Sequence, residues 1–325
     1  MANSPNMSVI VTSYKQLDYI KEAVQSLVTQ TVPLFEIIVV DDASQDGSIE
    51  WLREFEARHD NVIVLENEQN LTLGPTRNRG LELAQGDYVF FMDGDDMLMP
   101  QAHETWRQVI GTDPVDICIH DLRIYDQDAG QFIAKADAGT YATDHMPDWT
   151  QPSGDADIAY LMYLRPPAWR KLFRRAFVLE HALIFEPGIY EDLPIHFKAL
   201  AMAQLIRTTP ETLITYRKHS KSILRTPSRN HFRLLTVMAG VAEEMETKMS
   251  DRPLLLEAFR QFRFGLMHFT CISHERILDE DRVEFVRQVL DVPGLTAFSM
   301  SPTEKAQLSE LHALVGQDSR VANAS

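Results

Sequence analysis

Aspartates recur in this chain where strand-forming runs end. Asp41 and Asp42 follow the apolar run FEIIVV, while Asp93, Gly94, Asp95 and Asp96 follow YVFFM. Thr12, Ser13 and Tyr14 follow MSVIVT in the same way. A further acidic pair, Glu191 and Asp192, stands in FEPGIYEDLP. Carboxylates can take a proton from a hydroxyl or hold a hard cation such as Mg²⁺ or Mn²⁺. The cations available to balance them are clustered: five Lys/Arg and no acid lie from Arg165 to Arg175, and six and no acid from Arg217 to Arg233.

The elements that would position these groups alternate over the first hundred residues. Short apolar runs near 7–12, 35–40, 62–65 and 88–92 read as strands. Between them, Ile20, Ala23, Val24, Leu27 and Val28 mark a helix, Ile49, Leu52 and Phe55 a second entered through Gly47 and Ser48, and Pro75 to Gly86 a third. Continuous apolar strands between helices imply a parallel sheet covered on both faces. In such sheets ligands bind at the carboxyl ends of the strands, so three loops converge on one acidic site. A helix near Gln101–Ile110 and a strand near Val115–Tyr125 follow, and residues 137–157 read as a loop or insertion. From about Asn230 the pattern is helical, broken near Pro253 and Pro293, with a frayed tail over Gln317–Ser325.

Several function classes are excluded. The first strand is followed by TSYKQLD, without the glycines of a dehydrogenase or class I methyltransferase turn, and no GxxxxGK[ST] occurs. Net charge is −16, concentrated in the first half of the chain, which argues against nonspecific binding to nucleic acid. No apolar run approaches a membrane span, and residues 1–7 lack the features of a signal peptide, so the expectation is a cytoplasmic protein without a transmembrane segment. Cys118 and Cys271 suit neither a disulfide framework nor a zinc site.

Four segments together carry a family resemblance: MSVIVTSYKQLDYIKEAVQSLVTQT, FEIIVVDDASQDGS, LTLGPTRNRGLELAQGDYVFFMDGDD and IYEDLP. In order and spacing, over Ser8 to about Ser222, they resemble the family-2 glycosyltransferases of the GT-A fold. The resemblance implies an α/β fold, Rossmann-like, with a mostly parallel sheet and helices on both faces. It implies a catalytic domain over residues 1–225, followed by a helical C-terminal domain over 226–325. The activity implied is inverting transfer of a sugar from a nucleotide-diphosphate donor, UDP first among them, to a hydroxyl of a glycan, glycolipid or surface polymer.

Residue roles follow from the same resemblance. Asp93 and Asp95 match the DxD motif that holds Mn²⁺ or Mg²⁺ on the diphosphate, with Gly94 between them and His219 as a late metal-side histidine. Asp42, Thr12 and Tyr14 match the nucleotide pocket; a carboxylate there suits uracil, but it can also meet guanine, so the base stays open. Ala43 replaces the glycine usual beside it. Arg77 matches an arginine near the diphosphate, and Arg217, Lys218 and Lys221 are further candidate phosphate contacts. Asp192 matches the general base and Glu191 a neighbour that positions it; the rival reading is a capping pair for the helix after Pro194. An acidic turn capping a helix, with Asp96 the cap, is the rival at the DxD. Trp169 suits sugar stacking or core packing equally.

Two alternatives remain open: an inactive glycan-binding or scaffold module, and a sugar-nucleotide nucleotidylyltransferase, for which SYKQLD is the wrong loop. Pro253–Ile277 is apolar on more than one face and must be covered by several neighbours, within one chain or in a homodimer. Membrane-surface attachment is the lesser alternative, since no strongly basic amphipathic helix is evident.

Overall fold

The structure, a computed structural model, describes residues 5–134, 143, 146, 150–152, 154–220 and 222–322, with side chains through residue 316. The loop expected over 137–157 falls mostly outside the described residues.

Strands β1 (Met7–Ser13), β2 (Glu36–Asp41), β3 (Val62–Glu66) and β4 (Tyr88–Asp93) alternate with helices α1 (Leu17–Val28), α2 (Ser48–Glu56) and α3 (Leu73–Leu83). The strands are parallel in the order β3-β2-β1-β4. Alternating strand residues face opposite sides. Val9, Val11, Ile37, Val39, Phe90 and Met92 join one core with Ile20 and Val24 of α1 and Leu52 of α2. On the other face α3 approaches Ile10 so closely that a Cβ on Gly80 would lie 2.4 Å from its side chain.

Beyond β4 come β5 (Met97–Leu98), α4 (Ala102–Ile110), β6 (Ile117–Asp126), β7 (Gln131–Ile133), α5 (Asp155–Met162), β8 (Lys171–Arg174), α6 (Arg175–Glu180), α7 (Asp192–Met202) and β9 (Ile206–Lys218). The sheet continues β4-β8-β6-β9-β5, with β7 on β6. The α/β fold with helices over the sheet is as the sequence implies, but parallel pairing is confined to β1–β4 and to β6 with β9. Strand β8 is antiparallel to β4 and β6, and β5 to β9.

The chain divides into two compact units. The nine strands with α1–α4, α6 and α7 make the first; α5 and everything beyond His219 make the second. The second unit is helical, with α8 (Arg233–Lys248), α9 (Pro253–Ile272), α10 (Arg282–Leu290) and α11 (Pro302–Ala322). Helix α9 meets the need for several neighbours within this unit, packing against α5, α8, α10 and α11. It buries Leu255, Phe259, Phe262, Leu266, Met267 and Cys271. Helix α5 is tied to it through Tyr163 and Gln261, and to the residue before it through Arg252 and Asp155 at 2.7 Å. Helix α11 runs on to Ala322, so the expected frayed tail is helical over much of its length. No helix among the described residues is long and apolar enough to cross a membrane. Both cysteines are free and buried.

Candidate active site

Strand order reverses between β1 and β4, and at such a switch point the loops leaving neighbouring strands part to open a crevice. Register sets Thr12 beside Asp93 across this point, and Ser13 beside Asp41 on the β2 side. The loops after β1 and β2 are bound to each other. Asp41 accepts from the Ser44 backbone N–H and hydroxyl, and Ser44 Oγ accepts from the Lys15 N–H at 2.9 Å. Asp46 accepts from the N–H groups of Leu17 and Ser48. The turn costs backbone strain: Lys15, Ala43 and Gln45 all have positive φ, Ala43 at 61°, a region that favours glycine.

Asp42 is buried and its carboxylate is engaged inside the protein. Oδ1 accepts from Asn67 Nδ2 at 2.6 Å and the Leu71 N–H at 2.8 Å, and Oδ2 from the Thr72 N–H at 3.0 Å. It thereby fixes the entry to α3. Thr12 is buried, and its hydroxyl and that of Ser13 have no protein partner, whereas Tyr14 is exposed. Gly94 donates its N–H to the Thr12 carbonyl at 2.9 Å, and a Cβ there would lie 2.6 Å from that oxygen, so the DGD turn requires glycine.

Ligand atoms of Asp93, Asp95 and Asp96 all lie within 4.8 Å of one another. They are hard oxygens, and Asp96 Oδ2 is buried without a hydrogen-bond partner, so this set fits a divalent hard cation. Asp96 caps no helix: the short strand β5 follows it, and its Oδ1 accepts from the Arg217 N–H at 2.8 Å. His219 stands behind the cluster, with Nε2 2.9 Å from Asp95 Oδ2 and its ring 5.2 Å from that of Tyr19.

Arg77 joins this cluster to the acidic pair. It projects from α3, fully buried, and its Nη2 donates to Asp93 Oδ1 at 2.6 Å. Its Nη1 donates to Asp192 Oδ1 at 2.7 Å and Glu191 Oε1 at 3.1 Å. Phe185 lies against the guanidinium at 5.0 Å. Close approach of α3 to this segment depends on Gly74, where a Cβ would lie 2.2 Å from the Glu186 carbonyl oxygen. Glu191 and Asp192 open α7 without a side-chain capping bond, and the pair is turned to Arg77 by Tyr190, whose φ is 68°. Three carboxylates share one cation, and the guanidinium is held firmly charged by Asp192, Asp93 and Glu191 against the burial that opposes it. Burial pushes Glu191 up to about 8, reinforced by the neighbouring Asp192 charge and opposed by Arg77. Burial likewise raises Asp93 to about 6, against the pull of Arg77.

Arg217 and Lys171 take positions that their sequence surroundings do not indicate, and Trp169 takes one of the two open to it. Arg217, expected as a phosphate contact, is buried. Its Nε donates to the Asp95 carbonyl at 2.8 Å, its Nη atoms reach Glu22 and Gln127, and Tyr19 lies under it at 4.9 Å. Trp169 is buried and stacked on Tyr216, which resolves it as core. Lys171 belongs to the basic run from Arg165 to Arg175, yet it is buried, with Nζ donating to the carbonyls of Pro166 and Pro167. Burial brings its ammonium down to about 7, with the Asp192 charge opposing. A lysine buried among carbonyls carries no sequence signal, because a basic run ordinarily means a solvated face.

The mixed sheet, the strand-end carboxylates and the acidic pair brought to them define a GT-A glycosyltransferase fold. A family model described as Glycosyl transferase family 2 matches residues 8–170, and the chain belongs to that family of enzymes. Among curated relatives, the Putative glycosyltransferase EpsH of Bacillus subtilis is 29% identical over 233 residues, covering 70% of this chain and 65% of that protein. The Poly(ribitol-phosphate) beta-glucosyltransferase of Bacillus spizizenii is 24% identical over 290 residues, covering 86% of this chain. The chain thus spans less than two thirds of the length of these relatives, 44% for the second. In fold it is similar to S. aureus TarS 1-349 in complex with UDP-GlcNAc, with a TM-score of 0.73 and 21% identity over 95% of this chain and 88% of that one.

Proposed function

We propose that this chain is a metal-dependent inverting glycosyltransferase that moves a sugar from a UDP-linked donor to a hydroxyl of a glycan, glycolipid or surface polymer. The observation that carries the reading is the sharing of one buried guanidinium by Asp93 of the strand-end cluster and Asp192 of the acidic pair. A cluster suited to a leaving diphosphate and a carboxylate suited to an acceptor hydroxyl are thereby held on opposite arms of one side chain. The names of its relatives, and the UDP-GlcNAc in the TarS complex, support a nucleotide-sugar donor and a polymer acceptor.

In this reading Asp93 and Asp95, with Asp96 beside them, hold Mn²⁺ or Mg²⁺, and His219 orients Asp95. When bound, the cation stabilises negative charge on the departing diphosphate. Thr12, Tyr14 and the Asp42 loop receive the nucleoside. Asp192, more open than Glu191, takes the acceptor hydroxyl proton as that oxygen bonds to the anomeric carbon, while the bond from that carbon to the phosphate oxygen breaks and its electron pair leaves with the nucleoside diphosphate. Glu191, more deeply buried and turned to Arg77, serves as a neighbour that positions Asp192, not as the base.

The test is transfer from a panel of nucleotide-sugars with Mn²⁺, read by NMR for anomeric configuration. Asp192→Asn is expected to bind UDP as the wild type does while transfer falls at least about a hundredfold, the usual worth of a general base. Retained configuration, or a crippled Glu191→Gln beside an active Asp192→Asn, would overturn the assignment. A chain that binds UDP but turns over no donor would be a binding module.

A further inference from the structure

We infer that Arg77 is a positioning residue that couples the metal carboxylate Asp93 to the base Asp192, and that it does not bind the diphosphate. The inference rests on the glycosyltransferase reading above. A phosphate-binding arginine presents its fork to the open site, but the Arg77 side chain is 0% exposed. Three of its five N–H groups already go to carboxylates on two separate segments, Asp93 on one and Glu191 with Asp192 on the other. One face of the guanidinium is covered by Phe185, and Nε is buried without a partner. A planar fork can hold three carboxylates at fixed angles, whereas an ammonium is a point charge. The spacing between the cation site and the base is therefore set by one side chain. Two consequences separate this role from diphosphate binding. Loss of the fork misplaces the base and lowers kcat, because displacement of a reacting group by about 1 Å can cost on the order of a hundredfold. It also frees the Asp93 oxygen that the fork holds, so affinity for a divalent ion is kept or raised.

The experiment uses the full chain with Arg77→Lys and Arg77→Met, Mn²⁺ alone titrated by electron paramagnetic resonance, UDP with Mn²⁺ by calorimetry, and steady-state turnover of the UDP-sugar the wild type uses. Both variants are expected to bind Mn²⁺ at least as tightly as wild type and UDP within about threefold, with kcat down roughly a hundredfold. Millimolar guanidinium is expected to restore part of the kcat of Arg77→Met. If Arg77→Met does not fold, Arg77→Lys carries the test, since it keeps the charge and loses only the fork. A tenfold loss of UDP affinity with kcat retained would overturn the inference, as would Mn²⁺ binding that weakens in a folded Arg77→Lys. A wild type inert toward every donor would refute the glycosyltransferase reading instead, leaving the Mn²⁺ and UDP affinities to test the coupling.

Discussion

The backbone N–H of Arg217 donates to Asp96 Oδ1 at 2.8 Å across 121 residues of sequence, while its guanidinium holds the Asp95 carbonyl. The end of β9 thus fixes the acidic turn from behind. Arg217→Met keeps the backbone bond and loses the rest. Hydrogen bonds from a charged donor are worth about 1.5–3 kcal/mol each, so we expect about 3 kcal/mol less stability in urea unfolding and weaker Mn²⁺ binding. Unchanged Mn²⁺ affinity would show that the turn needs no support from β9.

Asp95 is part-exposed, and among the described residues its carboxylate has its hydrogen-bond partner in His219. Asp95→Ala should leave the unfolding free energy within about 0.5 kcal/mol of wild type, as surface substitutions usually do. Mn²⁺ affinity should fall at least tenfold. Full turnover of the wild type in EDTA would remove the metal from the mechanism.

Gly74 brings α3 against the backbone at Glu186. Gly74→Ala forces the two apart, and overpacking of this kind costs about 1–3 kcal/mol. Because α3 carries Arg77, we expect turnover to drop more than stability does. A variant with lower stability and full activity would separate the packing from the site.

His120 lies buried against Phe90 and Trp106, donating through Nδ1 to the Asp121 carbonyl. Burial lowers it to about 3 from its ordinary 6.5, chiefly by desolvation of the charged ring. The folded state therefore binds fewer protons than the unfolded one, and this histidine's contribution is fully present above pH 6.5 and lost as pH falls toward 3. Each pH unit in that window costs at most about 1.4 kcal/mol. Urea midpoints between pH 7 and 4.5 should fall more steeply for wild type than for His120→Asn; parallel slopes would contradict the assignment.

The strand-end carboxylates were legible because their signal is local: an apolar run, then acids, fixes both the strand and the end that bears the ligand. The third helix was legible too, although it ends at Leu83, short of Gly86, which instead leaves room for Ser8. What the sequence did not disclose was the commitment of side chains across long separations. Asp42 spends its oxygens on Leu71 and Thr72, and Arg77 meets partners more than a hundred residues away, so neither role can be read from neighbouring residues. The antiparallel insertion of β8 was hidden for the same reason. KLFR is too short to declare a direction, and only its pairing with β4 and β6 sets one.

The place of β9 in the sheet bears on the order in which the protein can be built. It lies between β6 and β5, and with the residue that follows it brings Arg217 and His219 to the acidic turn. While the chain is leaving the ribosome, β1 to β4 can pair once the segment through Asp96 has emerged. The three aspartates then sit together with neither residue behind them, and Asp93 is without the acidic pair that shares Arg77. The acidic cluster thus gains its full set of partners only once β9 is in place, late in the life of a nascent chain whose first four strands can pair early.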